Sequence, residues 1–108
     1  MEKRIRTNLL FDLYGKLITD KRSQALRLYL EEDLSLSEIA ESMGVSRQAV
    51  HDGILRAEAK LEEYERTLGL LEKREERTRA IEEAIRAIDG GRTGKARDIL
   101  TALLESED

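Results

Sequence analysis

The polar side chains best suited to a binding role lie in one short stretch, residues 46–56, which reads SRQAVHDGILR. In the major groove of DNA, an arginine can form two hydrogen bonds with guanine and a glutamine two with adenine. A serine at a helix start brings its hydroxyl and the free amides of the first turn to a phosphate. The stretch predicts a nucleic-acid-binding surface made by Ser46, Arg47, Gln48, His51, Asp52 and Arg56.

Asp52 favours a second interpretation of the same stretch, because a carboxylate repels phosphate. The helix would then be an exposed polar face whose charges only provide solubility. Catalysis is not indicated, since His51 is the single histidine and the sequence places no nucleophile near it. With no cysteine and one histidine, a metal site is not expected either. We therefore predict a protein that is not an enzyme and has no catalytic residue, cofactor or metal.

Two helices joined by a tight turn must hold this surface in place. Ser35 and Glu38 have the spacing of a capping box at the start of the first helix. Gly44 suits a positive φ angle in the turn, and Ser46 can cap the second helix. Ala40 is small where the two helices of a helix-turn-helix approach each other. The apolar positions predicted to be buried are Leu36, Ile39, Met43, Val45 and Val50.

The second helix of this motif is predicted to continue well beyond the polar stretch. Apolar residues recur in alternating steps of four and three at positions 50, 54, 57, 61, 64, 68 and 71. This seam predicts a helix that reaches at least Arg66, with Gly69 at its end or at a kink. Either the first helix of the same chain or a second subunit can cover the seam. Gly53 departs from the motif, and Ile54 takes over its usual apolar position.

Two more helices are predicted before the motif. The first spans residues 3–18, with an apolar stripe at positions 5, 9, 13 and 17 widened by positions 10, 14 and 18. So broad a face indicates burial on two sides, by the core and by a second subunit. The second spans residues 21–31, with Thr19 or Asp20 as its cap and positions 25, 26, 29 and 30 inward. The acidic residues 31–33 that follow form either a solvated loop or a contact for a basic partner.

The C-terminal third predicts a helical hairpin. Residues 72–79 have no apolar face and are interpreted as a solvated helix or a hinge. Residues 80–105 contain two short apolar helices joined at Gly90 and Gly91, with Thr93 as the cap of the second. The apolar positions predicted to face inward are 81, 84, 85 and 88, and then 96, 99, 100, 103 and 104. We predict two domains, a helix-turn-helix domain at 1–71 and a hairpin extension at 72–108.

Composition supports an all-α fold and weakens the case for autonomous DNA binding. The chain has 108 residues, 39% of them charged, and no proline or tryptophan. Its formal net charge is −4, and residues 1–67 hold 11 Lys and Arg against 13 Asp and Glu. DNA-binding proteins are usually basic, because phosphate contacts supply most of the non-specific affinity. The glutamates are interpreted as solvated helix faces. The absence of cysteine and of a long apolar run predicts a cytoplasmic protein.

The motif residues also support two family resemblances. Residues 26–65 are similar to the fourth region of bacterial sigma factors. Over about residues 7–71 the chain more closely resembles the YlxM family. This resemblance is carried by the segments NLLFDLYGKLIT, LRLYLEEDLSLSEIAE, VSRQAVHD and RAEAKLEEYE.

The resemblance implies an all-helical, dimeric helix-turn-helix protein of the bacterial cytoplasm, linked to the signal recognition particle pathway. The GTPase of that particle, its receptor and its small RNA are the implied partners, and DNA binding is implied by the fold. The sequence therefore leaves three functions open. The protein is a DNA-binding regulator, an adaptor of the particle, or a purely structural helical dimer.

Overall fold

The computed structural model describes residues 2–18 and 21–106, which form helices and no strand. The predicted all-α, helix-turn-helix fold is thus confirmed, whereas the caps predicted at Thr19 and Asp20 lie outside the described residues. The helices are α1 (Lys3–Tyr14), α2 (Lys21–Glu31), α3 (Leu36–Met43), α4 (Arg47–Leu68), α5 (Leu70–Asp89) and α6 (Thr93–Glu105), and a 3₁₀ turn, Gly15–Leu17, follows α1. The chain forms two compact units, Met1–Gly69 and Leu70–Asp108.

Helix α4 is the centre of the first unit, where it packs against α1, α2 and α3. The seam residues Val50, Ile54, Ala57 and Leu61 are between 0% and 6% exposed in the single chain. The seam loses its burial near the end of the helix, where Leu68 is 45% exposed. Because the single chain already buries Val50 to Leu61, this part of the seam is core, and no second subunit is needed to cover it.

Helix α1 turns only part of its broad apolar face to the core. Its buried residues are Thr7, Leu10, Phe11 and Tyr14, whereas the predicted stripe begins with Ile5, which is 51% exposed, and ends with Leu17, which is 54% exposed. Both faces of α1 are apolar, so periodicity along α1 alone could not choose between them. The predicted widening positions 10, 14 and 18 are the buried ones, whereas positions 5, 9, 13 and 17 form a partly exposed surface that we name the α1 stripe.

The turn between α3 and α4 has the predicted local geometry. The Ser35 amide donates to Glu38 Oε1 at 3.0 Å, and the Glu38 amide donates to Ser35 Oγ at 3.1 Å, which completes the capping box. Gly44 has a φ angle of 67°, and the next amide, of Val45, donates to Ala40 O at 3.1 Å. The Val45 side chain was predicted to be buried, but it is 41% exposed because the turn leaves it at the surface.

Helices α5 and α6 form a hairpin around a core of small residues. Ala84, Ala87 and Ala96 are buried, and Ile99 packs against them. Small side chains let the two helices approach closely, so the larger neighbours remain at the flanks. The apolar positions predicted to face inward but found 43% to 75% exposed are Ile81, Ile85, Ile88, Leu100 and Leu104.

The boundaries of the hairpin also differ from the prediction. Residues 72–79 belong to α5, which is one continuous helix from Leu70 to Asp89, so of the two predicted alternatives the helix is correct and the hinge is wrong. Gly91 has a φ angle of 77° and closes the turn. The N-cap of α6 is Arg92 rather than Thr93, because the helix starts one residue earlier than predicted. The Arg92 side chain forms no capping hydrogen bond.

Polar bonds fix α1 against α4 beside the apolar core. The Arg6 guanidinium donates from Nε to Glu62 Oε1 at 2.7 Å and from Nη2 to Glu62 Oε2 at 2.9 Å. Two hydroxyl groups of α1 donate to further glutamates of α4, Thr7 Oγ1 to Glu58 at 3.2 Å and Tyr14 Oη to Glu65 at 2.7 Å. The glutamates of this face of α4 thus hold α1 in place while they remain partly exposed to solvent.

The Arg6–Glu62 pair should make the stability of the first unit depend on acidity. Hydrogen bonds from Arg6 hold the pKa of Glu62 below its ordinary value of 4.5. A lowered folded-state pKa contributes stability above the unfolded-state pKa and loses it as the pH falls through the folded-state pKa. Because the pair is half-exposed, we expect Glu62→Gln to cost about 0.5 kcal/mol at pH 7 and less at pH 3. Urea unfolding at both pH values measures this difference.

Tyrosine fluorescence is a suitable probe for this experiment, because the three tyrosines, Tyr14, Tyr29 and Tyr64, lie in the first unit and the chain has no tryptophan. Glu32→Gln is the matched control. It removes the same charge, and Glu32 forms no ion pair with any described residue. Equal losses of stability at pH 7 and pH 3 in the Glu62 variant would contradict the assignment.

Candidate nucleic-acid interface

The first half of α4 is the exposed helix of the motif. Val50 and Ile54 turn one side of it into the core. At about 3.6 residues per turn, residues four apart share a face, so Gln48, Asp52 and Arg56 follow one another on the side away from the core. We name these three residues the outer row, and each of them is exposed.

Within the outer row, Gln48 and Asp52 are bonded to each other and Arg56 is free. Gln48 Nε2 donates to Asp52 Oδ1 at 3.0 Å. Arg56 forms no hydrogen bond or ion pair with the part of the chain that the structure describes, so its guanidinium can bind a ligand. The row therefore presents one free cation beside a pair of hydrogen-bonded polar groups.

Arg47 and His51 lie on a neighbouring side of α4. Arg47 is exposed at the first turn and has no ion-pair partner among the described residues. His51 lines a cleft of about 520 Å³, whose other walls include Arg4 of α1 and Tyr29 of α2. Arg47 thus lies at the first turn of α4, the outer row runs along the first half of the helix, and His51 lies beside the cleft.

Ser46 is the N-cap of α4, and its Oγ accepts a hydrogen bond from the Ala49 amide at 3.0 Å. This bond uses the oxygen only as an acceptor, so the hydroxyl hydrogen is still able to donate to a phosphate. The exposed first turn also carries free backbone amides and the positive end of the helix dipole. Ser46 can thus serve as the cap of α4 and as a phosphate contact together.

Two side chains near this surface were missed by the sequence analysis. Leu55 is 44% exposed and follows His51 by one turn, so the spacing of four was a usable signal. Arg4 stacks on the ring of Tyr29 at 4.6 Å, and its Nη2 donates to Tyr29 O at 3.1 Å and to Asp33 Oδ1 at 3.0 Å. These partners lie 25 and 29 residues away, and no local pattern could indicate them.

The same contacts change the interpretation of the acidic residues 31–33. Asp33 is bonded to Arg4, and Glu31 lies 3.9 Å from Arg27. Among the three carboxylates, Glu32 alone has no partner in the described parts of the chain. Most of the negative charge of this loop is thus balanced within the first unit.

The described residues contain neither a metal-binding cluster nor a membrane-spanning helix. Over residues 2–18 and 21–106, no group of three or more His, Asp or Glu side chains is placed to hold a metal ion. Within the same residues, each helix is too short or too polar to span a lipid bilayer.

The capped α3, the left-handed Gly44 turn and the exposed first half of α4 together define a helix-turn-helix protein. The chain belongs to the UPF0122 family, described as "Putative helix-turn-helix protein, YlxM / p13 like", which matches residues 1–94.

Individual members of the family are similar over most of this chain. A UPF0122 protein of Halalkalibacterium halodurans is 47% identical over 108 residues, which is 100% of this chain and 96% of the relative. A UPF0122 protein of Symbiobacterium thermophilum is 47% identical over 98 residues, or 91% and 92% of the two chains. A UPF0122 protein of Bacillus cereus is 54% identical over 81 residues, or 75% and 74%.

Proposed function

We propose that this chain is a cytoplasmic regulatory protein that binds DNA through the first half of α4. The observation that carries the proposal is the exposed first half of α4, where Arg47 and Arg56 have no partner among the described residues. A protein surface that presents two unpaired guanidinium groups suits phosphate and base contacts. Ser46 adds a hydroxyl and the amides of the helix start, which favour an anion.

A salt titration with duplex DNA from the control region of its own operon tests the proposal. We expect binding that weakens steeply with salt, and each phosphate contact contributes a slope of about one in log Kd against log salt. Arg47→Ala and Arg56→Ala should each weaken binding and reduce that slope by up to about one, depending on whether the guanidinium binds a phosphate or a base. Fluorescence anisotropy with labelled DNA is the measurement.

Arg79→Ala is the matched control for these two variants. It removes one exposed arginine from α5, and Arg79 has no partner among the described residues. We expect its affinity and slope to stay close to those of the unaltered protein. Absence of binding at low salt, or equal effects of all three substitutions, would contradict the proposed site.

We further propose that the functional form is a homodimer joined through the α1 stripe. The seam of α4 is core, so it is not the contact between copies, whereas the stripe leaves Ile5 and Leu17 more than half exposed. An apolar stripe on a small domain favours association with an equivalent stripe, because a dimer buries both. A symmetric dimer would also present two α4 helices to two half-sites about 34 Å apart, one turn of the duplex.

A second candidate function is an adaptor of the signal recognition particle that contacts its GTPase, receptor or RNA. The observation that favours it is the net charge of −4, which is unfavourable for a protein that must bind DNA alone. This function requires no binding to operon DNA. An altered GTPase rate of the particle with its receptor, at saturating protein, would support the adaptor. An unchanged GTPase rate together with salt-dependent DNA binding would contradict the adaptor and support the DNA-binding regulator.

A further inference from the structure

The bonded pair Gln48–Asp52 has a hydrogen-bonding character of its own. A side-chain amide offers two N–H groups and one acceptor oxygen, and an ionised carboxylate offers acceptors alone. The bond from Gln48 Nε2 to Asp52 Oδ1 at 3.0 Å uses one of the two N–H groups. Gln48 Oε1 and Asp52 Oδ2 are not used by this bond. The exposed middle of the outer row is therefore rich in acceptors and carries one negative charge.

Such a pair discriminates between base edges in the major groove. Guanine presents two acceptors there, N7 and O6, and thymine presents the acceptor O4, so both repel a carboxylate. Adenine presents a donor, N6, but its acceptor N7 is directly beside it. Cytosine presents the N4 amino group and no acceptor of its own. Cytosine is thus the base that best matches an acceptor-rich, negatively charged pair.

We propose that Asp52, oriented by Gln48, is a specificity-determining residue that accepts a hydrogen bond from the N4 amino group of cytosine. This inference rests on the proposed DNA-binding function and deepens it. Asp52 supplies no affinity for the phosphate backbone, because both are negative. The charge of Asp52 weakens binding to most DNA sequences. Where a cytosine amino group faces Asp52, the hydrogen bond from that group offsets the repulsion.

Two arginines near Asp52 can supply the affinity for DNA that its carboxylate does not. Arg56 follows it by one helical turn on the same row, and Arg47 lies one residue before Gln48 at the helix start. Both guanidinium groups lack partners among the described residues, so they can bind phosphates or the N7 and O6 of a guanine. The guanine that pairs with the selected cytosine is one such target. The arginines then supply the affinity for DNA, and the carboxylate restricts tight binding to sequences with a cytosine opposite it.

Selection from a randomised duplex library, followed by sequencing of the bound fraction, tests the inference. The unaltered protein should enrich cytosine at one or more positions of each half-site. Asp52→Ala should reduce that preference about tenfold, which is the lower end of the effect of a good base contact. Binding of Asp52→Ala to duplexes without the site should become tighter, because a repulsive charge is gone. Asp52→Asn should move the preference from cytosine towards adenine, the base that an asparagine amide pairs with.

Glu82→Gln is the matched control, because it also removes one exposed negative charge and Glu82 has no partner among the described residues. It should leave the base preference unchanged. If the Asp52 variants bind DNA with the base preference of the unaltered protein, the inference is overturned while the proposed function stands. If no protein binds DNA at low salt, both are overturned.

Discussion

Leu61→Ala should destabilise the first unit by about 3 kcal/mol, because Leu61 is completely buried in the seam of α4. The lost methyl groups remove apolar burial, and a cavity remains where neighbouring helices cannot close in. For a domain of this size, the melting temperature should fall by more than about 10 °C. Urea and thermal unfolding followed by tyrosine fluorescence report this unit alone, since the three tyrosines lie within it.

Leu68→Ala is the control, because it makes the same truncation in the last turn of α4, where Leu68 is 45% exposed. It should cost about 0.5 kcal/mol. If Leu61→Ala is already unfolded without urea, the smaller truncation Leu61→Val provides a weaker version of the same loss. Similar unfolding midpoints for the Leu61 and Leu68 variants would mean that the seam is not the core of the unit.

Ile5→Asp should dissociate the proposed homodimer by placing a carboxylate in the contact between the two α1 stripes. A charge buried without a partner costs several kcal/mol, and about 1.4 kcal/mol changes an equilibrium constant tenfold. We therefore expect the dimer Kd to rise at least about 100-fold. Because Ile5 is 51% exposed in the single chain, the fold of each copy should remain intact. Sedimentation velocity over a range of concentrations measures the Kd.

Leu104→Asp is the matched control for the dimer, since Leu104 is 75% exposed and lies on α6 of the second unit. It should sediment like the unaltered protein. A monomer at every concentration, or dissociation by the Leu104 variant and not by the Ile5 variant, would contradict an α1 contact. The Ile5 variant should also lose the tighter binding to paired half-sites while it keeps weak binding to a single site.

The helix-turn-helix could be predicted because its signals are local. A capping box joins residues three apart, the Gly44 turn depends on one backbone angle, and the seam of α4 repeats within two turns. The pairing of Gln48 with Asp52 also spans only one turn and follows from a spacing of four. Gly69, with a φ angle of 64°, ends α4 near the predicted place.

The division of the broad apolar face of α1 into a buried and an exposed part could not be predicted, because α1 is apolar on more than one side. The choice depends on contacts with α4 that are remote in the sequence, such as the bond from Arg6 to Glu62, 56 residues apart. The prediction of which hairpin residues are buried was wrong for a related reason. Its isoleucines were assigned to the core by hydropathy, but the close approach of Ala84 to α6 leaves Ile85 53% exposed.

By itself, the sequence determined the helices of this protein and the turn that presents the first half of α4, because each depends on neighbours within a few residues. The tertiary structure alone decided which sides of those helices are core. It assigned the seam of α4 to the core and left the α1 stripe exposed, since packing and ion pairs between remote segments set those faces. The tertiary structure also placed His51 beside a cleft and left Arg56 exposed and unpaired among the described residues.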